Sequence, residues 1–325
     1  MYRLNYEKKD LGQSYATAVA TMIVASLVLS LIFGTNATGW KFWLMQALFT
    51  LLIGGSSVLY AFITKTKFFV ATKLNVVPKY AHVLWGCLAV TFLIACMTPI
   101  NNALLDGIEA MGLKRPSVEL ENNIVGLLIV ACVLPAICEE LVFRGTIAQS
   151  LAENNNKIAT LAICGALFAL FHANPAQTVH QFVLGAFLTL LALRSGSLWT
   201  SVIVHLFNNT LVVILSCTPM GEESFWSFTS NTAVVVVLLC VGIVGFAASV
   251  FGYIKTTKSF WSSSNVTLTA QEGNSNNLEL ENANNKENRT PSAEKRATNN
   301  MASLVMLIVA IVVCVILWVT SLVAV

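Results

Sequence analysis

Residues 123–150 have the sequence NIVGLLIVACVLPAICEELVFRGTIAQS, an apolar run that carries two adjacent glutamates and an arginine. The run is long enough to cross the hydrocarbon core of a bilayer as a helix, which takes about 20 residues. Similar apolar runs recur along the whole chain. We predict nine spans, at 17–34, 43–63, 81–98, 123–150, 156–172, 177–194, 198–215, 232–254 and 301–324.

The composition supports a membrane protein. Of the 325 residues, 56% are hydrophobic and 11% are charged, whereas soluble domains carry roughly 25% charged residues. We therefore predict an all-α fold, a polytopic transmembrane helix bundle of about eight core helices plus one C-terminal appended helix. The lipid bilayer is the expected partner, and nothing in the sequence indicates a nucleic-acid surface. The eight cysteines contain no CxxC pair and are interpreted as small apolar residues.

The distribution of lysine and arginine predicts the orientation. With the N-terminus in the cytoplasm, 15 of them fall on the inner side, whereas Lys41, Lys114 and Arg115 fall outside. This asymmetry is typical of the positive-inside rule, so the N-terminus is predicted to be cytoplasmic and the C-terminus external.

Composition also divides the chain. The predicted segments are N-terminal helices at 1–119 with a Lys-rich inner-surface part, a four-helix core at 120–215, an eighth span at 216–261, a disordered Asn-rich linker at 262–300 and a terminal helix at 301–325. The terminal helix is interpreted as a tether or as a helix that binds a partner.

The fourth predicted span contains two adjacent glutamates, which are unusual within a membrane helix. An ionised side chain at the centre of a membrane helix costs about 2.5–3.5 kcal/mol to insert. Glu140 and Arg144 are four residues apart on one helix face and can pair. Glu139 is rotated by about 100° from Glu140 and remains available for general acid–base work. The alternative is that all three residues form a structural polar cluster between helices.

Three of the four histidines lie in the same four-helix core. Glu139 and His172 are each about 16 residues from the polar turn between their helices, so both lie about 24 Å from it and can face each other. His205 and Asn209 are four residues apart and can donate hydrogen bonds to a developing oxyanion, although such residues also join membrane helices. His180 is interpreted as part of a polar helix entrance, and His82 is assigned no role.

Three motifs carry a family resemblance. Residues 139–144 match EExxxR, residues 168–172 match FxxxH and residues 205–209 match HxxxN. In this order on successive helices, they resemble the CPBP family of intramembrane proteases, which includes CAAX prenyl endopeptidases and bacterial proteins linked to bacteriocin self-immunity. The resemblance covers residues 120 to 215.

The resemblance implies roles for these residues and makes the core catalytic. Glu139 and His172 would activate water, and His205 and Asn209 would stabilise the oxyanion. The supporting residues would be Glu140, Arg144 and Phe168. We expect no cofactor, since a glutamate–histidine pair can activate water unaided. The alternative is a metalloprotease-like site with zinc on Glu139, His172 and His205.

The sequence therefore predicts a glutamate-dependent intramembrane endopeptidase that acts on a membrane-embedded or lipid-anchored peptide. Its expected location is a bacterial plasma membrane, as the Asn-rich segment and the family resemblance indicate. One alternative is a non-catalytic scaffold or bacteriocin-immunity protein that binds a membrane partner. Another is a transporter, but the sequence lacks the paired repeats with broken helices that transporters often show.

Overall fold

The computed structural model describes residues 2–113, 123–152, 156–216, 231–257 and 293–323. In these ranges the chain is helical, and its single β-type contact is an isolated bridge between Arg3 and Thr66. Most of the predicted linker at 262–300 lies outside the described residues.

Ten α-helices build the described part of the chain. They are α1 Asp10–Phe33, α2 Trp40–Ile63, α3 Phe68–Ala71, α4 Tyr80–Ala110, α5 Ile124–Ala152, α6 Lys157–Phe171, α7 Thr178–Ser195, α8 Leu198–Ser216, α9 Thr232–Thr256 and α10 Ala293–Val323. Eight of them are long and apolar enough to span a membrane. The predicted polytopic helix bundle is therefore confirmed.

Helix α6 is the exception among the predicted spans, since it has 15 residues. It ends at Phe171 because the chain reverses there. Ala173 has a positive φ of 46°, and Asn174 caps a short 3₁₀ turn that starts at Pro175. A helix is disfavoured immediately before a proline. His172 therefore lies at a helix end, next to a loop.

Helix α1 begins seven residues before the predicted start of the first span. Its first residue, Asp10, is buried and is paired inside the protein. Arg3 Nη1 lies 3.0 Å from Asp10 Oδ2, and Tyr60 Oη donates to Asp10 Oδ1 at 2.7 Å. Because these partners satisfy the carboxylate, the helix can extend past the purely apolar run.

Helix α5 is not a uniform α-helix. Two stretches with π-helical turns, Leu128–Val133 and Phe143–Ile147, flank the regular segment Leu134–Val142. Both glutamates lie in the regular segment. Wide turns of this kind are rare, and they are frequent at functional sites.

Helices α6 and α7 cross at two glycines. A Cβ atom on Gly165 would lie 2.6 Å from the carbonyl oxygen of Phe182, and one on Gly185 would lie 3.1 Å from Gly165 Cα. Small residues allow this close approach between membrane helices. The crossing presents the Gly185 carbonyl group to the interior of the bundle, where α5 passes.

The Lys-rich segment between α2 and α4 contacts the start of α8. Trp199 Nε1 donates to the Leu74 carbonyl oxygen at 2.9 Å, and the backbone N–H of Leu198 donates to the Lys73 carbonyl oxygen at 3.3 Å. These bonds join the segment to the end of the bundle where α8 begins.

Candidate active site

Glu140 and Arg144 form a fully buried ion pair, with Arg144 Nη1 2.6 Å from Glu140 Oε1. Arg144 Nη2 also donates to the Gly185 carbonyl oxygen at 2.9 Å. The same oxygen of Glu140 accepts a hydrogen bond from His205 Nδ1 at 2.9 Å. Glu140 thus joins α5 to α8, and Arg144 joins α5 to α7. The i,i+4 spacing predicted the ion pair but not the contact with His205.

Phe168 packs against three of the polar residues. The Arg144 guanidinium carbon lies 4.4 Å from the centre of the buried Phe168 ring. The rings of His172 and His205 meet it edge to face, with centroids at 4.6 Å and 6.0 Å. A cation above an aromatic face is attracted by the ring quadrupole. Phe168 therefore restricts the orientation of both imidazoles.

Glu139 immediately precedes Glu140 on α5 and lies beside two histidines. Its Oε2 is 3.8 Å from His172 Nε2 and 4.0 Å from His205 Nε2. This oxygen is buried and has no hydrogen-bond partner within the described part of the chain. The structure thus brings together Glu139 and His172, as their equal distance from the turn predicts, and adds His205.

The hydrogen bonds of the two histidines determine which ring nitrogen faces Glu139. His172 Nδ1 lies 2.8 Å from the Phe168 carbonyl oxygen, which can only accept. His205 Nδ1 faces the Glu140 carboxylate in the same way. We therefore assign a ring proton to Nδ1 of both imidazoles, so that Nε2 of each ring is the nitrogen that faces Glu139.

Asn209 is one helical turn beyond His205. Its Oδ1 accepts a hydrogen bond from Asn208 Nδ2 at 3.1 Å, which leaves its own amide N–H groups as donors. None of the described contacts joins Asn209 to Glu139 or His172. Its predicted place at the oxyanion is therefore a proposal that depends on the position of the substrate.

His180 lies in the first turn of α7, at the helix entrance that the sequence analysis assigned to it. It lies within electrostatic range of both His172 and His205. One feature of the sequence indicates that His180 and His172 are close: His180 follows His172 by eight residues, on the other side of the turn at Pro175. A chain reversal there returns the start of α7 to the level of the α6 end, so a residue at the helix entrance can interact electrostatically with the two histidines.

The cluster has the residue types of a zinc site but not the spacing. Zinc with ligands at about 2.0–2.2 Å brings them to about 3.3–3.6 Å from one another in a tetrahedron, whereas Glu139 Oε2 is 3.8 Å and 4.0 Å from the two nitrogens. Among the residues that the structure describes, no group of three or more His, Cys, Asp or Glu side chains is arranged to hold a metal ion. We therefore derive no step through a metal.

A cavity of about 530 Å³ opens beside Glu139 and His172. Leu27 lines it and is 62% exposed on a membrane-spanning helix, so this edge of the cavity reaches the lipid-facing surface. Most of its walls are apolar. They come chiefly from α1, α2, the end of α6 and α10, and include Met22, Ile23, Leu27, Phe49, Ile53, Phe171 and Leu317.

The fold and the site together define a polytopic integral membrane protein with a polar cluster built from three motifs on neighbouring helices. Residues 121–211 match the family model described as Type II CAAX prenyl endopeptidase Rce1-like. The resemblance to the CPBP family of membrane proteases that the motifs carry is therefore confirmed by the family match over this segment.

A curated relative agrees with the family match. The chain is 28% identical over 120 residues to YdiL of Bacillus subtilis (strain 168), whose name describes it as a candidate membrane peptidase. The match covers 37% of this chain and 44% of that relative, less than half of the relative's length. No solved structure matches the chain significantly.

Proposed function

We propose that this protein is an intramembrane endopeptidase that hydrolyses peptide bonds of membrane-embedded or lipid-anchored peptides. One observation carries the proposal: the unpaired, buried Oε2 of Glu139 faces Nε2 of both His172 and His205 at the edge of an apolar cavity. An unpaired buried carboxylate oxygen is costly for a fold but suits a general base, which must accept a proton from water. The family match supports the reaction class.

The proposed reaction begins with a water molecule held by Glu139 and His172. As its oxygen bonds to the carbonyl carbon of the substrate, one of its protons passes to Glu139 Oε2. The tetrahedral intermediate collapses when this proton reaches the amide nitrogen and the C–N bond breaks. Glu139 thus acts first as the base and then as the acid.

His205 and Asn209 are proposed to stabilise the negative oxygen of the tetrahedral intermediate. Asn209 can donate from its amide group. His205 Nε2 donates when the ring also carries a proton on this nitrogen, while Nδ1 keeps its hydrogen bond to Glu140 at 2.9 Å. Arg144 in turn holds Glu140 in place.

We further propose a bacterial plasma membrane with the N-terminus in the cytoplasm, as the distribution of lysine and arginine predicts. In this orientation α1 runs outward. The cavity residues Met22 and Ile23 lie past its midpoint, and His172 lies at the outer end of α6. The substrate would then enter from the outer half of the bilayer.

The experiment that tests the function compares protein termini in membranes and culture medium. Cells make the wild type, Glu139→Gln or His172→Ala at matched levels. The control variant is Glu7→Gln, which changes a carboxylate that is half exposed and ion-paired to Lys9. We expect new termini with the wild type and the control that are missing in both site variants. Identical termini in all four strains would exclude proteolysis and favour the non-catalytic scaffold.

Asn209→Ala is expected to lower kcat on an identified substrate by about 10²–10³-fold with KM little changed, the loss typical of one oxyanion donor. Steady-state kinetics of the purified full chain measures it. The control is Ser216→Ala, which removes a hydroxyl group at the end of the same helix. A change in KM with kcat unchanged would place Asn209 in substrate binding instead.

Metal removal provides a separate prediction. Because the spacing in the cluster does not fit zinc, we expect 1,10-phenanthroline and EDTA to leave Glu139-dependent cleavage unchanged. Cleavage by purified protein is followed before and after chelation. Activity that is lost on chelation and returns with one equivalent of Zn²⁺ would overturn the metal-free mechanism and make Glu139, His172 and His205 the ligands.

A further inference from the structure

Helix α10 packs against the bundle along one face. Its buried and half-buried positions recur at intervals of four and three residues, the spacing that keeps side chains on one side of a helix. The row with this spacing consists of Ser303, Leu307, Ala310, Cys314, Leu317 and Ser321, and further half-buried residues such as Ile311 and Trp318 lie beside it. The opposite side is apolar and exposed, as at Ile316 (55% exposed) and Val319 (48%). The helix therefore has one side toward the protein and one toward lipid.

Helix α10 approaches α1 closely at Gly12. The Gly12 N–H donates to Ser303 Oγ at 3.1 Å, and a Cβ atom on Gly12 would clash with the Ser303 carbonyl oxygen. Further along, Tyr15 Oη donates to Cys314 Sγ at 3.4 Å. Small residues that let two backbones touch are typical of specific packing between membrane helices. The interface thus holds α10 in one register on α1.

The same face of α10 continues to the site. Leu317 and Ser321 line the cavity together with Glu139 and His172. Between them in the chain, Trp318 Nε1 donates to Thr178 Oγ1 at 2.8 Å, at the start of α7 and two residues before His180. This end of α10 is therefore joined to the helix that follows the site loop.

From these contacts we propose that α10 forms the substrate-selecting wall of the active-site cavity. Leu317 and Ser321 determine the size of the apolar substrate side chain that is accepted next to the scissile bond. This inference rests on the proposed endopeptidase function. A peptide whose scissile carbonyl lies at Glu139 and His172 must place a neighbouring side chain in the adjacent apolar space, and α10 forms one wall of that space. Helix α10 lies outside residues 121–211, so the selecting wall lies outside the segment that matches the family.

The test uses the full chain and the termini that it produces in cell membranes. Leu317→Trp and Ser321→Leu reduce the cavity, and Leu317→Ala enlarges it. Ile316→Trp and Ile316→Ala are the matched controls on the lipid-facing side of the same turn. The measured quantity is the ratio of cleavage beside large apolar residues to cleavage beside Ala, Ser or Gly, at equal protein level.

We expect Leu317→Trp and Ser321→Leu to lower this ratio by about tenfold or more, the discrimination that small size differences in a pocket produce. Leu317→Ala should raise it, and the controls should leave it unchanged. If Leu317→Trp does not accumulate, Ser321→Leu and Leu317→Ala still decide the question.

Equal ratios in all variants, or a uniform loss at every cleavage site, would show that α10 only supports the fold. The Glu139→Gln variant distinguishes failure of the endopeptidase proposal from failure of the proposal for α10. If the termini do not depend on Glu139, both proposals are wrong. If they depend on Glu139 but not on Leu317 or Ser321, only the selecting wall is excluded.

Discussion

Glu139→Gln and His172→Ala are each expected to lower kcat/KM by about 10²–10⁴-fold, the usual contribution of a general base. Glutamine keeps the shape of the side chain but cannot accept the proton of the attacking water. Removal of His172 leaves Glu139 Oε2 without the ring nitrogen that lies 3.8 Å away. Initial rates on an identified substrate, with purified full-length variants of matched thermal stability, measure both effects.

The double variant is expected to be no slower than the slower single variant. Residues that act on the same water lose their effect together, so their contributions are not additive. Two independent, multiplicative losses would place His172 in a separate step. If Glu139→Gln reacts at nearly the wild-type rate, Glu139 takes no part in the reaction, and the cluster is better interpreted as a structural contact between helices.

Arg144→Met is expected to produce the largest loss of stability. Removing one partner of a buried ion pair costs about 3–5 kcal/mol because the other charge is left uncompensated. Here the substitution leaves the fully buried Glu140 carboxylate without its cation and removes the hydrogen bond from Arg144 to the Gly185 carbonyl oxygen. Thermal unfolding of the purified protein in detergent, followed by circular dichroism, measures the effect.

The control is Lys9→Met, which breaks a solvent-exposed pair with Glu7 and should cost about 0–1 kcal/mol. The double variant Glu140→Gln/Arg144→Met should recover part of the stability, since no uncompensated charge remains in the interior. If Arg144→Met unfolds at the same temperature as Lys9→Met, the pair does not hold α5, α7 and α8 together.

Helix periodicity and helix length predicted the central contacts of the site. The Glu140–Arg144 pair follows from residues four apart on one helix. The proximity of Glu139 and His172 follows from equal distances to a shared turn, since each residue advances a helix by 1.5 Å. These inferences succeed because they concern one helix or two helices joined by a short connection.

Other parts of the site could not be predicted in this way. The contact of His205 with Glu140 joins α8 to α5, and it depends on how far each helix is rotated about its axis. The π-helical turns at Leu128–Val133 and Phe143–Ile147 change that rotation, and the periodicity of apolar residues in the sequence does not predict them. The hydrogen bond from Arg144 to the Gly185 carbonyl oxygen could not be predicted either. Its acceptor is a backbone group, and the residue type gives little information about the direction in which a backbone carbonyl points.

The sequence by itself determined that this chain is a membrane-embedded helix bundle and that the polar residues within its spans are concentrated between Glu139 and Asn209. The reason is that lipid offers no hydrogen bonds, so the backbone must satisfy its own groups in helices, and ionised residues inside them are too costly to be incidental. Only the tertiary structure decided that α10 lines the cavity beside Glu139 and His172. Association of membrane helices depends on close packing of small residues such as Gly12 and Ser303 rather than on a hydrophobic stripe, so an apolar helix at the end of the chain does not reveal its neighbours.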